Sequence, residues 1–192
     1  MKKLVSMLAL CGLISSPAMA VSFVDAIGAP GNVVTDYSTD GLLSFDLDFS
    51  KWSPVTLNYE IAAEDNGSPI SFSAVIRNFV GTGMDKFSIS LSMSSFDSVG
   101  TVTRAFGTST VSLTGENTIA NISFDMPEYL DFSIGAALGG LNEVDWTIDS
   151  SVLRSGDILS VTIAPVPEPE TYAMLLAGLG LVGFAARRRR AA

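Results

Sequence analysis

Leu43-Ser44-Phe45-Asp46-Leu47-Asp48-Phe49 alternates without a fault, every odd position apolar and every even one polar. Successive side chains of a β-strand point to opposite faces, so this stretch reads as a strand with one face in a core and one in water. Phe87-Ser88-Ile89-Ser90-Leu91-Ser92-Met93 repeats the pattern, and Val144-Asp145-Trp146-Thr147-Ile148 does so more loosely. Half-buried alternation of this kind belongs to antiparallel sheets. Working outward, Val55–Ala62, Ile70–Val80, Thr101–Phe106, Thr108–Leu113, Thr118–Phe124 and Ile158–Ile163 are further strand candidates, rich in β-branched residues.

Turn signals separate these runs: Glu64-Asp65-Asn66-Gly67-Ser68-Pro69, Gly81-Thr82-Gly83, Thr114-Gly115-Glu116-Asn117 and Arg154-Ser155-Gly156-Asp157. Asn66-Gly67 suits a primed two-residue turn and predicts a hairpin between Val55–Ala62 and Ile70–Val80. About nine short strands, with no amphipathic helix and no repeat of fixed period, predict an all-β domain over residues 21–164. The expected architecture is an antiparallel β-sandwich of jelly-roll or immunoglobulin-like type. At ~145 residues it is long enough for one proper core. Leu130–Leu141, with its small apolar Ile134-Gly135-Ala136-Ala137-Leu138-Gly139-Gly140, fits either a short helix or a glycine-kinked strand.

Both ends read as targeting segments. Met1-Lys2-Lys3, the apolar Leu4–Ile14 and the small-x-small Ala18-Met19-Ala20 make residues 1–20 a secretory signal helix, with Ala18 and Ala20 as the signal peptidase site and cleavage before Val21. Cys11, the sole cysteine, lies within it, and the leucine before it argues against a lipoprotein signal. The exported chain is therefore expected to contain no cysteine, and the sequence has no histidine at all. Disulfides, Cys/His zinc sites, Ser-His-Asp triads and Cys-His dyads are excluded, leaving carboxylates, tyrosine, lysine and oxygen-ligated metals. The chain's net charge is −9. Setting aside Lys2, Lys3 and Arg187–Arg190 leaves five basic residues against twenty acids, a charge of about −15 that repels nucleic acid and anionic lipid.

At the other end stand Pro167-Glu168-Pro169, the uncharged Tyr172–Ala186 and four arginines, Arg187, Arg188, Arg189 and Arg190. Proline fixes φ and holds its predecessor extended, so the dipeptide repeat is a stiff non-helical strip open to a processing enzyme. The apolar run is rich in helix formers, and the arginines act as a cytoplasmic membrane stop. As a helix the run spans roughly 22 Å against a hydrocarbon core of ~30 Å, a gap that arginine snorkelling and local thinning close. A short C-terminal transmembrane helix is therefore expected. Gly178-Leu179-Gly180-Leu181-Val182-Gly183 spells the dinucleotide-binding fingerprint, but prolines precede it and no acidic residue follows. Its glycines fit close helix approach in a membrane instead.

This tail, residues 165–192, resembles the PEP-CTERM sorting signal of Gram-negative bacteria. Its proline-glutamate-proline motif, hydrophobic helix and arginine cluster correspond to Pro167-Glu168-Pro169, Tyr172–Ala186 and Arg187–Arg190. The resemblance implies recognition and removal of the tail by an exosortase, a membrane-embedded cysteine transpeptidase, often in bacteria that make exopolysaccharide. It also implies passage through the inner membrane, transient anchoring there, and a final place at the cell surface or outside. Phe23-Val24-Asp25-Ala26-Ile27 resembles a short Phe-x-Asp-x-Phe motif of some such cargo, departing at its last position. The resemblance gives an address and not an activity.

Within the body only acidic clusters and aromatics offer chemistry. Asp36 and Asp40 flank a loop, Asp46 and Asp48 share a strand face, and Asp145 and Asp149 bracket Trp146. Asp46 and Asp48 are placed to offer paired carboxylates to Ca²⁺, or to form the solvated face of an amphipathic strand. No pair is marked out for glycoside hydrolysis. Tyr37, Tyr59, Tyr129, Trp52 and Trp146 are candidates for stacking on sugars; Trp146 reads as core, and Trp52, beside Pro54 at a strand end, as exposed. The expectation is a non-enzymatic surface or matrix protein, processed by an exosortase and associated with exopolysaccharide in a biofilm. The alternative is a carbohydrate-binding module, with Ca²⁺ as one candidate ligand and no other cofactor.

Overall fold

The computed structural model describes residues 21–62, 68–166 and 176–181. Its body has thirteen strands in chain order: β1 (Ser22–Ile27), β2 (Val33–Asp36), β3 (Leu42–Phe49), β4 (Val55–Glu60), β5 (Ile70–Asn78), β6 (Met84–Leu91), β7 (Phe96–Ser98), β8 (Val102–Arg104), β9 (Ser109–Thr114), β10 (Ile119–Glu128), β11 (Asp131–Ile134), β12 (Trp146–Ile148) and β13 (Ile158–Pro165). They form two sheets. One runs β1-β4-β13-β6-β10-β9; the other runs β2-β3-β5-β11-β8, with β12 joining β5 to β7. The unbroken alternation of β3 is realised position by position: Leu43, Phe45, Leu47 and Phe49 are buried and the residues between them half-buried.

A single apolar cluster lies between the sheets and draws on both. Phe87 of β6 meets Phe49 of β3 at 5.9 Å and Phe132 of β11 at 5.0 Å between ring centroids, so its side chain ties one sheet to the other. At the opposite end Trp146 packs against Phe72 and Phe96, and its Nε1–H donates to the Thr101 carbonyl at 3.1 Å. Edge-to-face and tilted ring pairs of this sort add specific geometry to a core that burial alone would leave loosely defined.

Three expectations need correction. One sheet is mixed rather than wholly antiparallel, because β3 and β5 pair parallel, from Leu42 opposite Ser71 to Phe49 opposite Asn78. The predicted hairpin between Val55–Ala62 and Ile70–Val80 does not form: β4 pairs with β1 and β13, while β5 lies in the other sheet beside β3, β11 and β12. The chain arches between layers there, and an arch buries the same alternate residues that a hairpin would. Asn66-Gly67 lies outside the described residues. Likewise β8 and β9, neighbours in sequence, belong to different sheets. Leu130–Leu141 holds neither a helix nor one kinked strand: β11 ends at Ile134, and Gly135 turns the chain at φ 66°.

The expected N-terminal signal helix, residues 1–20, lies outside the described residues. Of the expected C-terminal transmembrane helix, residues 176–181 are helical and exposed, and the rest lies outside them. Among the described residues no helix is long and apolar enough to cross a membrane.

Candidate functional site

The tail begins where β13 ends, and β13 is an interior strand. It pairs with β4 along one edge, Ile158 opposite Glu60 to Ile163 opposite Val55, and with β6 along the other, Val161 opposite Leu91 to Pro165 opposite Phe87. Val161 and Ile163 point into the core, while Thr162 reaches across to Thr56 through a 2.8 Å hydroxyl pair. Pro165 has no N–H to give, which suits the last residue of a strand. One further backbone bond follows: the Val166 N–H donates to the Lys86 carbonyl at 3.0 Å. Pro167, Glu168 and Pro169 come next and lie outside the described residues, as do Arg187–Arg190 and the leader's Ala18 and Ala20.

Residues 165–190 match the family model of the PEP-CTERM protein-sorting motif. The chain carries that signal. It is an exported exosortase substrate, with the exosortase as processing partner. No curated protein and no solved structure matches the chain. The PEP-CTERM match starts at Pro165, the last residue of β13, so the sorting signal abuts the folded body with no linker between them. The matched stretch contains both the Pro-Glu-Pro motif and the arginine cluster.

All the acidic candidates of the body but the exposed Asp40 are already engaged. Arg77 of β5 reaches across the parallel pair and donates to both carboxylates of β3: Nη2 to Asp46 Oδ2 at 2.6 Å and Nη1 to Asp48 Oδ1 at 3.0 Å. These bonds, Asp46 first, hold the guanidinium's pKa above its ordinary value. A cation brought to Asp46 and Asp48 would have to displace Arg77. Sequence reading found the carboxylates but not their partner, because nothing local announces that β3 lies parallel to β5. Asp36 accepts from the Ser38 hydroxyl at 2.7 Å, Asp145 from the Ala136 N–H at 2.8 Å, and Asp149 from the Ser151 N–H at 2.8 Å. The last bond keeps the Asp149 carboxyl below the usual carboxylate range. These aspartates stabilise turns, and the structure does not bring the three pairs together. Among the described residues no three His, Cys, Asp or Glu side chains converge on one point.

A cluster that the sequence did not flag surrounds Arg104 on β8. Its side chain is only 3% exposed, and all three of its nitrogens donate: Nε to Glu128 Oε2 at 2.9 Å, Nη1 to Asp125 Oδ1 at 3.1 Å and to the Thr108 carbonyl, and Nη2 to the Met126 carbonyl. The guanidinium also lies 4.5 Å from the Phe124 ring centroid. Arg104 thereby clamps β8 of one sheet to β10 of the other.

The aromatics divide differently from expectation. Trp146 is buried as expected. Trp52 is half-buried and not free: its ring packs on Phe49 at 5.4 Å and Phe87 at 6.1 Å, and its Nε1–H donates to Thr82 Oγ1 at 2.9 Å. Proline-flanked strand ends look exposed in sequence, but here the loop after β3 folds the indole back over the rim of the core. Tyr59 is wholly buried. Its hydroxyl finds no partner at hydrogen-bond distance, although Asp36 and Ser38 lie near enough to bear on its ionisation. Burial, reinforced by the Asp36 charge, pushes the phenol's pKa far up, so Tyr59 stays neutral. Tyr37 and Tyr129 are exposed.

Proposed function

We propose that this chain is a non-enzymatic surface or extracellular-matrix protein. Its leader carries it through the inner membrane, its apolar tail holds it there, and an exosortase then passes it to the cell surface. The body is a β-sandwich that serves as cargo, associated with exopolysaccharide in a biofilm. The observation that carries this reading is the junction: the PEP-CTERM match starts on the last residue of an interior strand. Cutting inside β13 would sever a strand held on both edges, whereas cutting after Val166 leaves the body intact. Support for a non-catalytic role comes from Asp46, Asp48, Asp125 and Glu128, which are held in ion pairs by Arg77 and Arg104.

Intact mass of the protein recovered from the cell surface and the medium tests this reading. The expected species starts at Val21, retains Val166 and lacks Tyr172 to Arg190. Excess mass on that species marks attachment to an acceptor. A chain that runs to Ala192 and stays in the membrane fraction would refute processing. The carbohydrate-binding alternative has less support, because Trp52, the aromatic best suited to meet a sugar, packs on the core. Retention of the released body on the producing cell's own exopolysaccharide, lost with a chelator, would revive that alternative together with its Ca²⁺.

A further inference from the structure

The strand registers assign every loop of the body to one of two ends. β13 leaves the body beside Phe87 and Val55, and the antiparallel and parallel pairings carry that end across both sheets. The loops after β1, β3, β5, β8 and β10 all lie at this tail-exit end, and the turns before β10, β12 and β13 lie at the other.

The two ends differ in kind. Phe79, Phe106, Met126, Tyr129 and Leu130 crowd the tail-exit end, all exposed, with Phe79 at 65% and Phe106 at 69%. They line two open depressions of about 170 and 230 Å³ that meet at Leu130. Three of the four exposed aromatics among the described residues are here, the exception being Tyr37. Charge divides the same way. Four of the five basic residues between Lys3 and Arg187, namely Lys51, Arg77, Lys86 and Arg104, lie at the tail-exit end, where Asp46, Asp48, Asp125 and Glu128 are taken up in ion pairs and Asp85 and Asp131 are the remaining strand-end acids, four cations against six carboxylates. The far end holds Arg154 alone against a ring of acids that includes Glu60, Asp97, Glu116, Glu143, Asp149 and Asp157. Met93, Leu141, Val144 and Val152 are also exposed there, but they stand among the acids of that end.

The chain length fixes where the two ends go. Val166 is bonded to Lys86, and the apolar run starts at Tyr172. Fully extended, the residues between span at most about 20 Å, while β10 alone is about 30 Å long. With the tail in the bilayer, the tail-exit end is held against the headgroups and the acidic end is kept away. Aromatic rings with a polar rim settle at a membrane interface, and a weakly acidic face approaches an anionic leaflet more readily than a strongly acidic one. We propose that the tail-exit end of the body, centred on Phe79, Phe106 and Leu130, docks on the lipid surface before processing and presents the Pro-Glu-Pro strip at headgroup level. This inference rests on the tail's being anchored in the membrane.

Labels of unique position are available, because Cys11→Ser leaves no other cysteine. Ala105→Cys at the tail-exit end, Ser155→Cys at the far end and Leu176→Cys in the tail would each be labelled with a fluorophore. The chain is purified from membranes of an exporting host without an exosortase and reconstituted into phosphatidylethanolamine/phosphatidylglycerol vesicles. A headgroup nitroxide lipid is expected to quench the Ala105→Cys label at least about threefold more than the Ser155→Cys label. Phe79→Ser, Phe106→Ser and Leu130→Ser together should roughly halve the quenching of the Ala105→Cys label without lowering the melting temperature, the gap that remains being the one the tether imposes. Leu176→Cys, read with an acyl-chain nitroxide, separates the failures. An inserted tail with Ala105→Cys quenching left unchanged by the three serine substitutions overturns the docking alone. A tail label that the acyl-chain nitroxide does not reach overturns the anchoring reading and the docking with it.

Discussion

Phe87→Ala is the substitution through which the two-sheet core is best tested. Phe87 is 2% exposed and touches four rings: Phe132 at 5.0 Å, Phe49 at 5.9 Å, Trp52 at 6.1 Å and Phe124 at 6.2 Å. Phe49 and Phe132 belong to the opposite sheet, so truncation removes contacts between layers as well as within one. A buried Phe→Ala change typically costs about 3–5 kcal/mol, and lost ring pairs push this site to the upper half of that range. For a body of this size each kcal/mol moves the melting temperature by roughly 2–4 °C, so a fall of about 10–15 °C is expected. Urea unfolding followed by tryptophan fluorescence gives the free energy directly, with Phe106→Ala as the control. Phe106 is a phenylalanine at the same end but 69% exposed, and its loss should change stability by less than about 0.5 kcal/mol. A Phe87→Ala loss below about 1.5 kcal/mol, or one matched by Phe106→Ala, would refute the packing of the two sheets through this ring.

Arg104→Leu strands Glu128, whose side chain is 7% exposed, and should destabilise by about 3–5 kcal/mol. Arg104→Leu with Glu128→Leu should recover much of that loss in a double-mutant cycle, since no buried charge is then left unpaired. Gly100→Ala places a Cβ against the backbone carbonyls of Val144 and Asp145, atoms that cannot swing aside, and is expected to cost about 1–3 kcal/mol in urea unfolding. Asp125 has a lowered pKa, chiefly from the Thr108 N–H and then from the Thr108 hydroxyl and Arg104. A depressed carboxylate stabilises the fold above its unfolded pKa of about 3.9 and loses that contribution as pH falls through its folded value. Asp125→Asn should therefore melt below wild type at neutral pH, and the two curves should converge under strong acid; a gap that persists at low pH would contradict this.

Much of the architecture is legible in the chain itself. β3 and β6 are written in their alternation, β10 and β13 in their β-branched runs, and their buried faces follow from the same pattern. β1, β2 and β7 left little trace, being short or largely exposed, so no apolar face marks them. Val144 was read in phase with Trp146 and Ile148, yet it lies outside β12 and is exposed, because its carbonyl bonds to the Thr101 N–H instead of to a strand neighbour. The sorting signal was fully readable, since a motif, an apolar run and an arginine cluster act through order and composition rather than through a folded site.

Sequence alone thus determined which residues of β3 and β6 face a core, that the class is β, and that the chain carries the tail of an exported, processed protein. Those properties depend on neighbours a few residues apart: side-chain alternation, apolar length and the placing of proline and charge. Only the tertiary structure decided that β4 and β5 part into different sheets, that Arg77 sits between Asp46 and Asp48, and that four cations and three exposed aromatics gather where the tail departs. A period of two states which face of a strand is buried and is silent about which strand lies beside it. That choice rests on hydrogen bonds and packing between residues far apart in the chain, and the two ends of the body exist only once it has been made.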